Sequence, residues 1–385
     1  MTQPTDKAPL YQQLLPGDPA PRFIQRTGAN PRFVFDSAAG RHLVLCFFAS
    51  AADPRSRAAI DAVLARRAIF DDQKLSFFGI SLDPADERES RVHDAVPGIR
   101  FFWDFDATAS RLYGSTPVEA APRSRIAARR FWAVIDPMLR VSAVFPFTAD
   151  GSEIPALFAY LDALPPPGRL AGIETYAPVI FLPNVFEPDL CRRLIAAYEA
   201  HGGEESGFMR EVNGKTVLVQ DHSHKRRRDY IMEDEALMAE TRGRILRRIV
   251  PEILKVHQFK ATRMERYIVA CYAAEDGGHF NAHRDNTTKG TAHRRFAVSI
   301  NLNDDFDGGE LSFPEYGPQS YKPPPGGAVI FSCSLLHRAG EVTRGLRYAF
   351  LPFLYDDEAA RLREANARFL DLSGAPPPSA APDPA

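Results

Sequence analysis

The stretch GGHFNAHRDN, residues 277 to 286, brings two imidazoles and a carboxylate, His279, His283 and Asp285, into a short span. Along an extended strand or its edge, side chains two positions apart share a face, so His283 and Asp285 can grip one ion while Arg284 turns away. A third ligand is available in His337, 337 − 285 = 52 residues after Asp285 and just past the apolar run AVIFS. Two imidazoles and one carboxylate on neighbouring strands form the donor set of non-haem Fe(II) oxygenase sites, which leaves coordination positions open. His279 has the same parity as His283 but lies too far along an extended chain to reach the same ion, so it is expected at the pocket rim. His222, His224, His257 and His293 have no carboxylate at ligand spacing and read as surface or core imidazoles.

Ten residues beyond His337, in GLRYAFL, stands Arg347. A guanidinium on an apolar strand that returns beside the metal needs an anion, and its planar fork matches a carboxylate. A 2-oxo acid with a second carboxylate fits: two of its oxygens reach the metal and the far carboxylate meets Arg347.

These residues need a scaffold. The proline- and glycine-rich LPPPGRLAG, 164 to 172, reads as a linker between two domains, as a chain of 385 residues suggests. Before it, over 1–163, HLVLCFFAS, LSFFGISLD, FWAVIDP and VSAVFPF alternate with helical patterns, an α/β layer fold. After it, over 173–357, helical EPDLCRRLIAAYEA and a second helix near 235 to 255 precede the strands MERYIVACY, RRFAVSINLN, GELSFP, AVIFS and RYAFLPFLY, an α+β pattern whose sheets form a barrel or sandwich. The tail 373–385 is too rich in proline and small residues to order itself. The run HKRRRDY, 224 to 230, reads as a solvated loop from which Arg228 and Tyr230 could reach a substrate.

The second half resembles the Fe(II)- and 2-oxoglutarate-dependent dioxygenases of the prolyl 4-hydroxylase-like branch, over about residues 175 to 356. The resemblance is carried by CYAAEDGGHFNAHRDN, SINLNDDFDGGELSFP, GGAVIFSCSLLH and VTRGLRYAF, in that order. It implies a double-stranded β-helix, or jelly roll, with His283, Asp285 and His337 as iron ligands and Arg347 as the oxoglutarate anchor. By the same likeness Tyr272 contributes to the oxoglutarate pocket, and Asn301 stands near the place of a second carboxylate partner, a tyrosine in hypoxia-sensing members. Fe(II), 2-oxoglutarate and O2 are the implied cofactors, with ascorbate as an accessory reductant. The implied reaction is hydroxylation of a C–H bond, of a prolyl residue in a protein or of a small molecule; Asp285, where halogenating relatives carry a small residue, favours hydroxylation.

The first half resembles the peroxiredoxin branch of the thioredoxin-like fold, over about residues 14 to 163, through PGDPAPRF, LVLCFFASAADPRSR, FFGISLD, FFWDFDATASRLYG and RRFWAVIDP. Where that branch carries its reactive cysteine, at a helix start after the FF strand, this chain has Ser56 or a neighbour. Arg130 matches an active-site arginine, and Cys46 falls inside a strand. The domain therefore reads as a degenerate, non-catalytic peroxiredoxin. The rival reading is a redox, peroxide-handling or oxygen-sensing protein whose oxygenase-like half is not catalytic.

With 45% hydrophobic residues and a net charge of −2, the chain gives no general pull toward nucleic acid or membrane. No apolar run approaches a membrane span, and MTQPTDKAPLYQQ lacks the pattern of a signal peptide, so a cytoplasmic protein is expected. The four cysteines, widely separated, suggest buried thiols rather than a disulfide framework.

Overall fold

The run HLVLCFFA has no polar alternation, the pattern of a strand covered on both faces. In the computed structural model, which describes residues 9–119, 128–170 and 173–371, it forms the strand His42–Ala49, buried along nearly its whole length. The chain divides into two compact units, Met1–Tyr176 with Pro314–Pro318, and Ala177–Phe313 with Gln319–Ala385. The stretch read as a linker, 164–172, thus lies within the first unit; its residues 171 and 172, and the tail 373–385, fall outside the described residues.

In the first unit His42–Ala49 is the central strand of five. Leu75–Ser81 and then Ile99–Trp103 pair parallel on one side, and Phe131–Ile135 and then Val141–Pro146 antiparallel on the other, a thioredoxin-like order. The helices Pro54–Ala65 and Glu153–Asp162 bury Ile60, Val63, Leu157 and Leu161 in the same apolar cluster as Phe77, Phe101 and Trp132. Gly79 is required there, since a Cβ at that position would meet the Phe101 ring at 2.5 Å.

The start of the Pro54–Ala65 helix is occupied by a carboxylate, not a thiolate. Asp53 Oδ1 accepts from the Arg55 and Ser56 amides at 3.0 and 3.1 Å, capping two otherwise unpaired donors, and it forms an ion pair with Arg130. Ser56 Oγ donates to the Phe48 carbonyl at 2.7 Å. Cys46 is fully buried in the sheet, and burial pushes its thiol well above its ordinary pKa.

Two of the second unit's sheets position the site. The larger, of nine strands, runs Ile180–Leu182, Ala328–Ser332, Phe296–Asn301, Leu346–Phe350, Ile268–Ala273, Arg228–Ile231 and Glu204–Glu205, with Arg263–Glu265 and Phe353–Tyr355 off this path. The smaller, of five, runs Lys225–Arg226, His279–His283, His337–Ala339, Leu311–Ser312 and Ser320–Tyr321. Alternation gives the larger sheet two characters. Val269, Cys271, Val298, Ile300, Tyr348 and Phe350 join a core with Leu190 and Leu194 of the helix Pro188–His201, Ile245 of Glu235–Arg248 and Ile253 of Val250–His257. The intervening positions, Tyr272, Ser299, Asn301 and Arg347, are buried on the opposite, polar face. The single helix expected near 235 to 255 is broken at Ile249, where Pro251 starts a second one. Among the described residues no helix is long and apolar enough to cross a membrane.

All four cysteines are buried and free. In the full-length protein Cys46 should therefore resist alkylation until the chain unfolds, and thiol-dependent peroxide reduction should be absent. Peroxide consumption that disappears in Cys46→Ser would show a working thiol in the first unit.

Candidate functional site

The pairing of two strands of the smaller sheet places the triad. His279–His283 lies antiparallel to His337–Ala339 with His283 directly opposite His337, and Asp285 follows the first strand, fixed by its amide donating to the Cys333 carbonyl at 3.0 Å. The two imidazole centroids are 4.3 Å apart. Asp285 Oδ1 lies 3.5 Å from His283 Nε2, and Oδ2 lies 3.4 Å from His337 Nε2. One donor atom from each residue falls within 4.8 Å of the others, as three ligands of one ion require. His279 is not in this group; its Nδ1 bonds the Gly277 carbonyl at 2.7 Å.

The surroundings hold the three in a ligating state. Each imidazole has Nδ1 on a backbone carbonyl, Asn281 for His283 at 2.7 Å and Leu335 for His337 at 3.0 Å. A proton held there leaves the Nε2 lone pair facing the centre. Burial, then the nearby His337, push His283 down to about 4, so its neutral form prevails. Burial alone would raise Asp285, but His337, His283 and Arg294 outweigh it and keep the carboxyl well below the usual range. Phe280 stacks on His283 at 3.5 Å and Phe331 meets His337 edge-on at 4.6 Å. Two imidazoles fixed through Nδ1, an ionised carboxylate and an apolar surround fit a divalent ion.

The cavity beside the triad, about 520 Å³ with its open mouth, is walled on the other side by the polar face of the larger sheet, including Tyr272, Ser299 and Arg347. Arg347 is 3% exposed and is held by neutral groups: its Nε and Nη2 donate to Asn301 Oδ1 at 3.2 and 3.1 Å, and Nη2 to Ser299 Oγ at 3.1 Å. Its guanidinium lies 5.1 Å from the centre of the Tyr272 ring. Burial lowers its pKa, against the pull of Tyr272 and with the help of Arg227. The glycines of DGGEL make room for it: Gly309 has φ +70°, and a Cβ there would lie 3.0 Å from Arg347 Cδ. Asn301 does not line the cavity; its amide donates to the Pro323 carbonyl at 3.0 Å and its oxygen orients Arg347 from behind.

The run HKRRRDY is not simply a solvated loop. Lys225–Arg226 and Arg228–Ile231 are strands, and Lys225, Arg227 and Asp229 are buried while Arg226 and Arg228 are exposed. Arg227 lines the cavity with Arg266, whereas Arg228 and Tyr230 do not. The alternation is one of burial and not of residue type, since every position from Lys225 to Asp229 is charged, and so the sequence carries no period that would announce it.

Residues 254–355 match the model of the 2OG-Fe(II) oxygenase superfamily. That matched stretch lies in the second unit, Pro314–Pro318 apart, and is what the chain shares with the superfamily. The chain is 28% identical over 206 residues to a PKHD-type hydroxylase of Pseudomonas fluorescens, covering 51% of this chain and 86% of the relative. It is 26% identical over 180 residues to the PKHD-type hydroxylase PiuC of Pseudomonas aeruginosa, 44% of this chain and 75% of that one. Among solved structures, a Trichoplax adhaerens prolyl hydroxylase in complex with a hypoxia inducible factor peptide fragment aligns over 48% of this chain and 86% of its own, at 16% identity and TM-score 0.37. A yeast mitochondrial 1-Cys peroxiredoxin aligns over 39% of this chain and 77% of its own, at 17% identity and TM-score 0.32. The oxygenase family spans the strands that carry all three triad residues and Arg347.

Asn301→Ala removes the main acceptor of a buried guanidinium and should cost about 1.5 to 3 kcal/mol of stability, read from denaturant unfolding. An unchanged midpoint would show that Ser299 and the Tyr272 ring suffice to hold Arg347.

Proposed function

We propose that the second unit is an Fe(II)- and 2-oxoglutarate-dependent dioxygenase that hydroxylates a C–H bond. The observation that carries this reading is the convergence on one cavity of the His283, Asp285 and His337 donor set and a buried guanidinium, Arg347, which among the described residues hydrogen-bonds only neutral groups. The family match over 254–355 and the hydroxylase relatives support it.

In this reading His283 and His337 hold Fe(II) through Nε2 and Asp285 through its carboxylate. Bound there with 2-oxoglutarate and O2, the iron supplies oxidative decarboxylation of the cosubstrate to succinate and CO2, coupled to insertion of one oxygen atom into a C–H bond. Arg347 receives the far carboxylate of the cosubstrate in a bidentate pair, and Asn301 and Ser299 keep the guanidinium aimed so that little ordering remains for the moment of binding. Tyr272 closes the same wall, and Phe280, Leu311 and Phe331 line the cavity with apolar surface that excludes water from the reacting centre. A prolyl residue in a protein, the substrate class suggested by the resemblance to prolyl 4-hydroxylases, and free small molecules enter the same assay.

With Fe(II), oxoglutarate and oxygen, the wild type should form succinate, and His283→Ala, Asp285→Ala and His337→Ala should each reduce it to background while the fold persists by circular dichroism. Wild-type succinate formation in any of the three would remove that residue from the triad.

Arg347→Ala should leave metal binding intact and weaken oxoglutarate by about 2 to 5 kcal/mol, at least roughly thirtyfold in KM, because the cosubstrate's carboxylate then sits unpaired. An unchanged KM would place the anchor elsewhere.

A further inference from the structure

The cavity carries more positive charge than the proposed metal and cosubstrate answer. The triad carboxylate Asp285 belongs to the ion, and Arg347 to the far carboxylate of oxoglutarate. Two further guanidiniums, Arg227 and Arg266, line the same cavity and share a single acid, Asp229. They share it through one oxygen: Oδ2 accepts from Arg227 Nη2 at 2.7 Å, from Arg266 Nη2 at 3.5 Å, and from Ser206 Oγ at 2.6 Å. Glu265 also acts on Arg266, but its own partners are His293 and Arg294, so the two guanidiniums have one acid between them as a hydrogen-bonded partner.

Neither arginine is saturated. Arg227 is 7% exposed, and its Nε has no hydrogen-bond partner among the described residues. The hydrogen bond of Arg266 to Asp229 is long, and its side chain, 31% exposed, borders the opening. Arg266 also has φ +67°, a left-handed backbone that a residue with a Cβ seldom adopts, between the strands Arg263–Glu265 and Ile268–Ala273. Such strain persists where the surroundings demand a particular side-chain placement, and here the side chain lies along the cavity against the Phe353 ring, 5.4 Å from its centre. Burial, followed by Arg227 and Arg294, pulls the Arg266 pKa down to about 10 against the opposing pull of Asp229 and Glu265.

We propose that Arg227 and Arg266 form a second anion subsite, which receives a carboxylate carried by the molecule to be hydroxylated. This rests on the oxygenase reading of the cavity. A carboxylate suits two guanidinium forks better than a neutral amide does. The subsite thus selects substrates with an acid group beside the reacting C–H bond, a free carboxylic acid or an acidic end of a peptide.

The test uses the full-length protein with Mn(II) in place of Fe(II) and saturating oxoglutarate, and follows the relaxation of acetate methyl protons by the bound Mn(II), with acetamide as the neutral control. Wild type should show a saturable enhancement for acetate and none for acetamide. Arg266→Gln, at the cavity opening, should reduce it at least about tenfold with Mn(II) and oxoglutarate affinities unchanged, and Arg227→Gln should reduce the acetate enhancement likewise where it folds. Free N-acetylglycine and a peptide bearing the same group at its C-terminus, run in parallel, separate a small acid from a peptide end as the source of the carboxylate. Four outcomes overturn the inference: no enhancement in wild type, an equal one for acetamide, displacement of acetate by oxoglutarate, or an enhancement unaltered in Arg266→Gln. Failure to bind Mn(II) at all would instead refute the oxygenase reading, and this inference with it.

Discussion

A buried guanidinium whose hydrogen-bond partners among the described residues are all neutral is the constraint on which the second unit turns. Removing a charge from water costs several kcal/mol even after relaxation, and neutral partners recover only part of it. Arg347 is held by an amide, a hydroxyl and an aromatic face, which fix its direction without neutralising it. That arrangement needs a rigid wall. The larger sheet provides one because its alternate residues are anchored on three helices by an apolar core, so the polar face cannot relax by turning outward. A slip of one residue in the Leu346–Phe350 strand would put Tyr348 in the cavity and Arg347 among the helices, which makes the register strongly specified.

The grouping of His283, Asp285 and His337 was legible in the sequence because most of its geometry is local. His283 and Asp285 stand two apart at a strand edge, and only the pairing with His337 had to come from the fold. The basic strand was misjudged for an instructive reason. Apolar residues announce a buried face by their type, whereas in KRRRD every position is charged, and burial of Lys225, Arg227 and Asp229 is decided by partners far along the chain, such as Tyr272 and Arg266. Asn301 shows the same limit. Its neighbourhood of Arg347 could be expected from the family, but not that its amide would be spent on Pro323 and its oxygen on the guanidinium. The division near residue 176, rather than at the proline cluster, depends on which contacts form and not on where the chain can bend.

The first unit uses the same elements to a different end. A helix start after an apolar strand favours an anion, and a thiolate gains reactivity there. Here the position is taken by Asp53, whose carboxylate caps the helix and pairs with Arg130, so the favourable field stabilises a group with no redox chemistry. The sequence showed the missing cysteine; it could not show that the arginine had been given another anion.

Tyr272 joins the two basic parts of the second unit's cavity. Its ring lies 5.1 Å from the Arg347 guanidinium and 5.7 Å from that of Arg227, and its hydroxyl accepts from Arg227 Nη1 at 3.3 Å. Like charges on either side of one ring, in a medium less polarisable than water, raise each other's energy. An anion placed on Arg347 would therefore ease the repulsion that Arg227 feels as well, so the two basic parts of the cavity cannot be treated as independent of one another.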